Sequence, residues 1–106
     1  MRETNSLLED IRDALTALEE ISSRGEKAFL GNTSSHIPAF WNLMIIGEAS
    51  RALPNDFKEE HSDINWADII GMRNVIVHQY YNIKLDHVWF TISELAPDLK
   101  NRLLHS

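Results

Sequence analysis

The sequence contains no cysteine and has no long uninterrupted run of apolar residues. Without cysteine, neither a disulfide framework nor a thiolate metal site can form. A membrane-spanning helix needs about 18 or more consecutive apolar residues. Residues 1–6 also have no apolar segment of the kind found in secretory signals. We therefore expect a cytoplasmic protein with no membrane-embedded part.

Basic side chains are scarce, because ten Lys and Arg stand against sixteen Asp and Glu, a formal net charge of -6. Non-specific binding to a nucleic-acid duplex depends mainly on Lys and Arg that neutralise phosphates. The overall charge therefore argues against such binding. A role on RNA needs a local positive site, and Arg73, His78, Lys84 and His87 are close together in the sequence.

The length and composition are those of an ordinary globular domain, with 106 residues of which 43% are hydrophobic and 25% charged. We expect a single domain over residues 1–106. A domain of this size buries only about two-thirds of the surface that its unfolded chain exposes. A helical domain this small often buries a further apolar face in a dimer.

Apolar residues recur at helical spacing in four segments. The predicted main helices cover residues 4–23, 35–53, 66–79 and a last segment that begins near Leu85 and bends near Pro97. Short helices are predicted over residues 26–30, after Gly25, and over 55–61, after Pro54. The predicted fold is all-α, an antiparallel four-helix bundle with extra short helices.

Polar residues mark where two of these helices begin. Ser6 and Glu9 have the spacing of a capping box, and Asn65 precedes the third main helix with Asp68 in its first turn. Residues 74–77 are rich in β-branched side chains, so a strand is an alternative there. We favour a helix because the surrounding apolar residues keep helical spacing and no second strand-like segment is present to pair with it.

The sequence offers little for metal or cofactor chemistry. None of the five histidines follows a glutamate by three residues, the spacing used by carboxylate-bridged metal sites in helical bundles. There is no Gly-rich phosphate loop, no Gly-x-Ser-x-Gly turn and no cysteine nucleophile. We expect neither a metal ion nor a cofactor.

The third main helix ends in a polar group formed by Arg73, His78 and Tyr80. On a regular helix Arg73 and Tyr80 share a face, whereas Arg73 and His78 lie about 140° apart. The latter two converge if His78 lies in a fraying last turn, or if a second protomer supplies the facing groups. An imidazole can move a proton near neutral pH, and a guanidinium can stabilise charge on phosphate oxygens. This pair suits metal-independent cleavage of a phosphodiester.

A structural role would explain the same residues. Arg73 would then pair with an acid such as Glu48 or Asp68, and a charged His78 would be favourable at the C-terminal end of a helix. An Arg and a His five residues apart occur by chance in many chains. The spacing alone therefore leaves both interpretations open.

Several segments, in their order along the chain, match one family. Residues 64–81 contain an Arg followed by four residues, a His, one residue and a Tyr, and residues 42–49 read Asn-Leu-Met-Ile-Ile-Gly-Glu-Ala. Together with residues 7–11 and 86–89, these segments resemble the motifs of HepT-like proteins in the HEPN superfamily. Trp41 departs from the family, in which a polar or charged residue is expected before the Asn.

The resemblance implies a metal-independent ribonuclease that acts as the toxin of a type VII-like toxin–antitoxin pair. It implies a homodimer in which Arg73 and His78 of both protomers line a shared cleft and cleave RNA. The expected partner is an MntA-like minimal nucleotidyltransferase, an antitoxin that neutralises the toxin by transferring AMP to the motif tyrosine, here Tyr80. Three further residues are candidates for supporting roles: Glu48, Asn42 and Asp68.

Two other functions remain open. One is a non-catalytic HEPN accessory subunit that binds a nucleotidyltransferase and its substrate. The other is a dimerising structural protein in which the motif is inert. The intact Arg-x4-His-x-Tyr set favours the ribonuclease, because a scaffold has no need of it.

Overall fold

The computed structural model describes residues 3–104, except for the side chains of Tyr80 and Leu104. Over this range the chain is helical and contains no β-strand, which confirms the predicted all-α class. The α-helices are α1 (Thr4–Ser23), α2 (Glu26–Gly31), α3 (His36–Ala52), α4 (Asn55–Glu60), α5 (Trp66–Gln79), α6 (Leu85–Phe90) and α7 (Ala96–Leu104). Two 3₁₀ turns, Thr33–Ser35 and Tyr80–Asn82, and one π-helical turn, Thr91–Leu95, complete the chain.

Helix α1 has the predicted length, and its apolar residues point into the core. The buried side chains are Leu7, Ile11, Ala14, Leu15, Leu18 and Ile21. The predicted capping box is wrong, because Glu3 is the N-cap and Ser6 lies inside the helix. Gly25 separates α1 from α2 and has φ 94°, a backbone conformation that residues with a side chain rarely adopt.

Helix α3 is the central helix of the bundle and packs against both α1 and α5. Pro38 lies in its first turn, where the missing backbone N–H costs no helical hydrogen bond. Its buried face combines apolar and small residues: Ala39, Leu43, Ile46, Gly47, Ala49 and Ser50. The small residues on this face allow neighbouring helices to come close.

The connection from α3 to α5 makes these helices antiparallel. Lys58 Nζ donates to the Arg51 carbonyl at 3.2 Å, and Trp66 Nε1 donates to the Lys58 carbonyl at 3.2 Å. The start of α5 is therefore close to the end of α3. Asn65 caps α5 as predicted, because Asp68 N donates to Asn65 Oδ1 at 3.1 Å.

The C-terminal helix is irregular just before Pro97, where a bend was predicted. The backbone N–H of Ala96 donates to the Thr91 carbonyl, five residues back. Pro97 has no N–H to donate to the Ser93 carbonyl, so the regular hydrogen-bond pattern cannot continue at this point. The helix accommodates this with the π-helical turn that joins α6 to α7.

The bundle is open along one side, between α5 and the helices α6 and α7. A groove of about 810 Å³ lies there and reaches the core residues Leu15, Leu43 and Ile46. Arg102 stands at its border and donates to Asp63 at 3.0 Å and to Asp98 at 2.8 Å. These two carboxylates raise the pKa of Arg102 above its ordinary value, and Asp98 makes the larger contribution.

None of the helices in the described range combines the length and the apolar character that crossing a membrane would require.

Candidate functional site

Arg73 lies on the side of α5 that faces α3, and Glu48 of α3 binds it. The Nε of Arg73 forms an ion pair with Glu48 Oε1, and Nη1 donates to Asn74 Oδ1 at 3.1 Å. The Arg73 side chain is 24% exposed and that of Glu48 is 49% exposed. The guanidinium is therefore held at the edge of the helix interface, with part of its surface open to solvent.

Gly47 makes this arrangement possible. A methyl group at Gly47 would place its carbon 2.4 Å from Arg73 Cβ and 3.3 Å from the Ile69 carbonyl oxygen. Carbon atoms that are not bonded cannot approach to 2.4 Å, so only glycine allows α3 and α5 to be this close. The close approach brings Arg73 beside Glu48, which follows Gly47 in the sequence.

His78 lies in the last turn of α5 and its side chain is exposed. Helix α5 is unbroken from Trp66 to Gln79, so Arg73 and His78 project from it about 140° apart. One chain therefore does not bring the two side chains together.

Tyr80 begins the 3₁₀ turn that follows α5, but its side chain lies outside the described part of the structure. The proposed modification of Tyr80 therefore rests on the sequence motif. The neighbouring Tyr81 is 77% exposed.

The three candidate supporting residues have different positions. Glu48 contacts Arg73, as described above. Asp68 accepts from Asn65 Nδ2 at 2.9 Å and so stabilises the start of α5. Asn42 donates to the Pro38 carbonyl of its own helix at 2.8 Å. Of the three, Glu48 alone is placed to influence the Arg73 guanidinium directly.

An exposed apolar surface lies on the two helices that contain this site. Ile37, Trp41 and Met44 share the side of α3 on which Glu48 lies, as their helical spacing requires. On α5, Val77 follows Arg73 by one turn. Ile37, Trp41 and Val77 are exposed, Trp41 to 58%. We call Ile37, Trp41, Met44 and Val77 the apolar face.

Sequence reasoning did not identify this face, although Trp41 was a signal for it. Trp66 and Trp89 are partly buried against the core, whereas Trp41 points outward.

The other cationic residues near the motif lie toward the groove. Lys84 and His87 line it, together with Gln79 at the end of α5. Neither Arg73 nor His78 lines the groove. Among residues 3–104, no group of three His, Asp or Glu side chains is arranged to hold a metal ion.

The fold and this motif define an all-α protein with an Arg on the side of α5 that faces α3 and a His in the last turn of α5. Residues 11–105 match the family model described as ribonuclease HepT-like. The chain belongs to this HepT-like ribonuclease family, which confirms the predicted family.

Curated relatives agree with the family. A protein of Thermococcus cleftensis named "Probable ribonuclease HepT" is 34% identical over 102 residues, 95% of this chain and 93% of that protein. A protein of Methanocaldococcus jannaschii, named as an inferred RNase, is 30% identical over 97 residues, 92% of this chain and 86% of its own length. No solved structure matches the chain significantly.

Proposed function

We propose that this protein is a metal-independent ribonuclease toxin in which Arg73 and His78 cleave RNA. Family membership and the names of the relatives support an RNase activity. The observation that supports the site is the placement of the two motif residues, one fixed by an ion pair and the other open to solvent. Arg73 is held by Glu48 with part of its surface open, and His78 is exposed at the end of the same helix.

The proposed reaction is an attack within the RNA chain. His78 accepts the proton of a ribose 2′-OH, the 2′-oxygen bonds to the adjacent phosphorus, and the bond from phosphorus to the 5′-oxygen breaks. The 5′-oxygen takes up a proton from a second imidazole, which leaves a 2′,3′-cyclic phosphate and a 5′-OH. Arg73 stabilises the negative charge that develops on the phosphate oxygens.

This reaction needs a second protomer, because it uses two imidazoles and one chain separates its Arg73 from its His78. The apolar face supplies a surface for a homodimer. It lies on α3 and α5, the helices of Glu48 and Arg73, so a two-fold axis beside it would bring motif residues of both protomers to one cleft. A dimer would also double the local positive charge in a protein whose net charge is -6.

The proposed antitoxin is an MntA-like minimal nucleotidyltransferase that transfers AMP to Tyr80. Tyr80 follows His78 by two residues, at the start of the 3₁₀ turn. An added nucleotide would place bulk and negative charge close to the position of the RNA phosphate. Both effects would prevent the RNA from binding.

A second candidate function is the non-catalytic accessory subunit. The ion pair between Arg73 and Glu48 favours it, because this is the contact that a purely structural Arg73 would make. Such a subunit would bind the nucleotidyltransferase and its substrate without cleaving RNA.

Expression in a bacterial host without the partner separates the two candidates. Wild type should arrest growth with loss of intact RNA, whereas His78→Ala should accumulate as a folded protein without either effect. The measurements are growth, RNA integrity and the helix content of the purified variant. Normal growth with well-expressed, folded wild type would favour the accessory subunit and overturn the toxin proposal.

A further inference from the structure

We propose that Glu48 is a positioning residue that sets the direction of the Arg73 guanidinium for the RNA phosphate. The inference rests on the proposed ribonuclease function and adds a residue to its site. It depends on the ion pair between Glu48 and Arg73 Nε and on the close approach of the helices at Gly47.

The contacts determine which part of the guanidinium remains available. Arginine has five N–H groups in a planar fork. Glu48 forms an ion pair at the buried Nε, whose N–H has no hydrogen-bond partner in a favourable geometry, and Asn74 accepts from Nη1. The N–H groups of Nη2 and the second N–H of Nη1 are engaged by neither Glu48 nor Asn74. They can bind two oxygens of one phosphate from the end of the side chain.

Holding the guanidinium in this way lowers the cost of stabilising the transition state. A free arginine side chain loses rotamer entropy when it is ordered, because several of its bonds otherwise rotate freely. Here folding has already restricted Arg73, because Gly47 packs against its Cβ and Glu48 binds its Nε. A donor that is already directed needs no reorganisation when charge develops on the phosphate.

Glu48 also has an opposing electrostatic effect. Its carboxylate is about half exposed and stands next to the proposed phosphate position, where it repels the RNA. Removing this charge should therefore favour RNA binding while it impairs the chemical step. A residue that only stabilises the fold would change neither kcat nor KM of the folded enzyme, so the two roles give different kinetics.

The chain offers a matched control. Lys100 and Glu19 form an ion pair at 2.7 Å between α7 and α1, away from Arg73 and His78, and Glu19 is 60% exposed. Glu19→Gln removes an acid that joins two helices, as Glu48→Gln does. It should change stability by a similar small amount, since exposed ion pairs contribute little to the free energy of unfolding.

The kinetic experiment compares wild type, Glu48→Ala, Glu48→Gln and Glu19→Gln on one single-stranded RNA. Glu48→Ala should lower kcat about 10- to 100-fold, because a small displacement of a catalytic group can reduce the rate by about this factor. The KM should fall or stay unchanged. Glu48→Gln keeps an acceptor for Nε and should recover part of the lost kcat. Glu19→Gln should behave as wild type. An unchanged kcat in Glu48→Ala would overturn the positioning role.

A second measurement does not depend on RNA cleavage. In wild type, the N–H at Arg73 Nε should give a resolved, slowly exchanging NMR signal, which Glu48→Ala should lose and Glu19→Gln should keep. The same exchange rate in wild type and Glu48→Ala would overturn the inference even for an active enzyme. An ordered Arg73 in a wild type that cleaves no RNA would instead overturn the proposed function.

Discussion

At the scale of single residues, the ion pair between Arg73 and Glu48 holds the guanidinium at the edge of the interface between α3 and α5. Arg73, His78 and Tyr80 could be selected from a motif, because the motif is a local pattern. The partner of Arg73 could not be selected, since Glu48 and Asp68 were equally acceptable acids. The structure decides for Glu48 because α3 lies against that side of α5, while Asp68 bonds with Asn65 at the start of the helix.

The starts of α1 and α5 also show that a sequence pattern does not determine which contact forms. Asn65 and Asp68 were predicted as the start of α5; Asn65 caps it, and the Asp68 carboxylate accepts from the Asn65 side chain. Ser6 and Glu9 have an equally good pattern, yet α1 begins two residues before Ser6. The helix extends to Thr4 without a side-chain cap, and its first backbone bond runs from Leu7 N to the Glu3 carbonyl at 3.1 Å.

Tyr80 permits a test at the residue scale. Tyr80→Phe removes the hydroxyl that would accept AMP and leaves the ring, so the variant should still cleave RNA but escape inhibition. Co-expression with the nucleotidyltransferase should therefore restore growth for wild type and not for Tyr80→Phe, with mass spectrometry to detect the added AMP. Neutralisation of Tyr80→Phe by nucleotide transfer would contradict the assignment, and Tyr81→Phe is the matched control.

At the scale of helices, boundaries were predicted well because apolar spacing and helix breakers are local signals. The third main helix was predicted over residues 66–79 and is Trp66–Gln79. The alternative strand at residues 74–77 was rejected correctly. The π-helical turn at Thr91–Leu95 was predicted only as a bend near Pro97, since its hydrogen bonds depend on how α6 and α7 pack.

Because α3 and α5 approach closely at Gly47, we expect alanine substitutions at Gly47 and Gly71 to have opposite effects on stability. Gly47→Ala would force the helices apart at Arg73, and overpacking of this kind costs about 1–3 kcal/mol. Gly71 lies inside α5 with open space around the position of an added methyl group. Gly71→Ala should stabilise the protein by about 0.5–1 kcal/mol, because alanine is the better helix former. Urea unfolding of both variants measures these changes.

The two substitutions should also differ in their effect on RNA cleavage. Gly47→Ala should also lower RNA cleavage by the folded protein, because Arg73 would move relative to Glu48. Gly71→Ala should not reduce it. Equal stability and equal cleavage in the two variants would show that the helices tolerate separation at Gly47.

At the scale of the whole molecule, the sequence predicted the class of fold but not its surfaces. The opening between α5 and the C-terminal helices depends on which helices pack together, and apolar spacing does not contain that information. The apolar face likewise arises because α3 and α5 place their outward residues side by side. A charge count of the chain did not locate either surface.

The proposed dimer makes a prediction about the apolar face. Trp41→Glu would bury an unpaired charge in the interface, which is strongly unfavourable. The variant should sediment as a monomer where wild type is a dimer, with unchanged helix content and with loss of cleavage. Phe90→Glu is the control, because Phe90 is an exposed aromatic residue on α6. A dimeric Trp41→Glu would place the interface elsewhere.

RNA cleavage by the purified protein in the presence of a metal chelator tests the central claim most directly. Wild type should cleave single-stranded RNA, and Arg73→Ala and His78→Ala should each lower the rate by about 10²-fold or more. His61→Ala is the control, because the His61 ring bonds to the Phe57 carbonyl beside α4 and has no proposed role. Undiminished cleavage by the folded Arg73→Ala and His78→Ala variants, or a wild type that leaves RNA intact, would contradict the account.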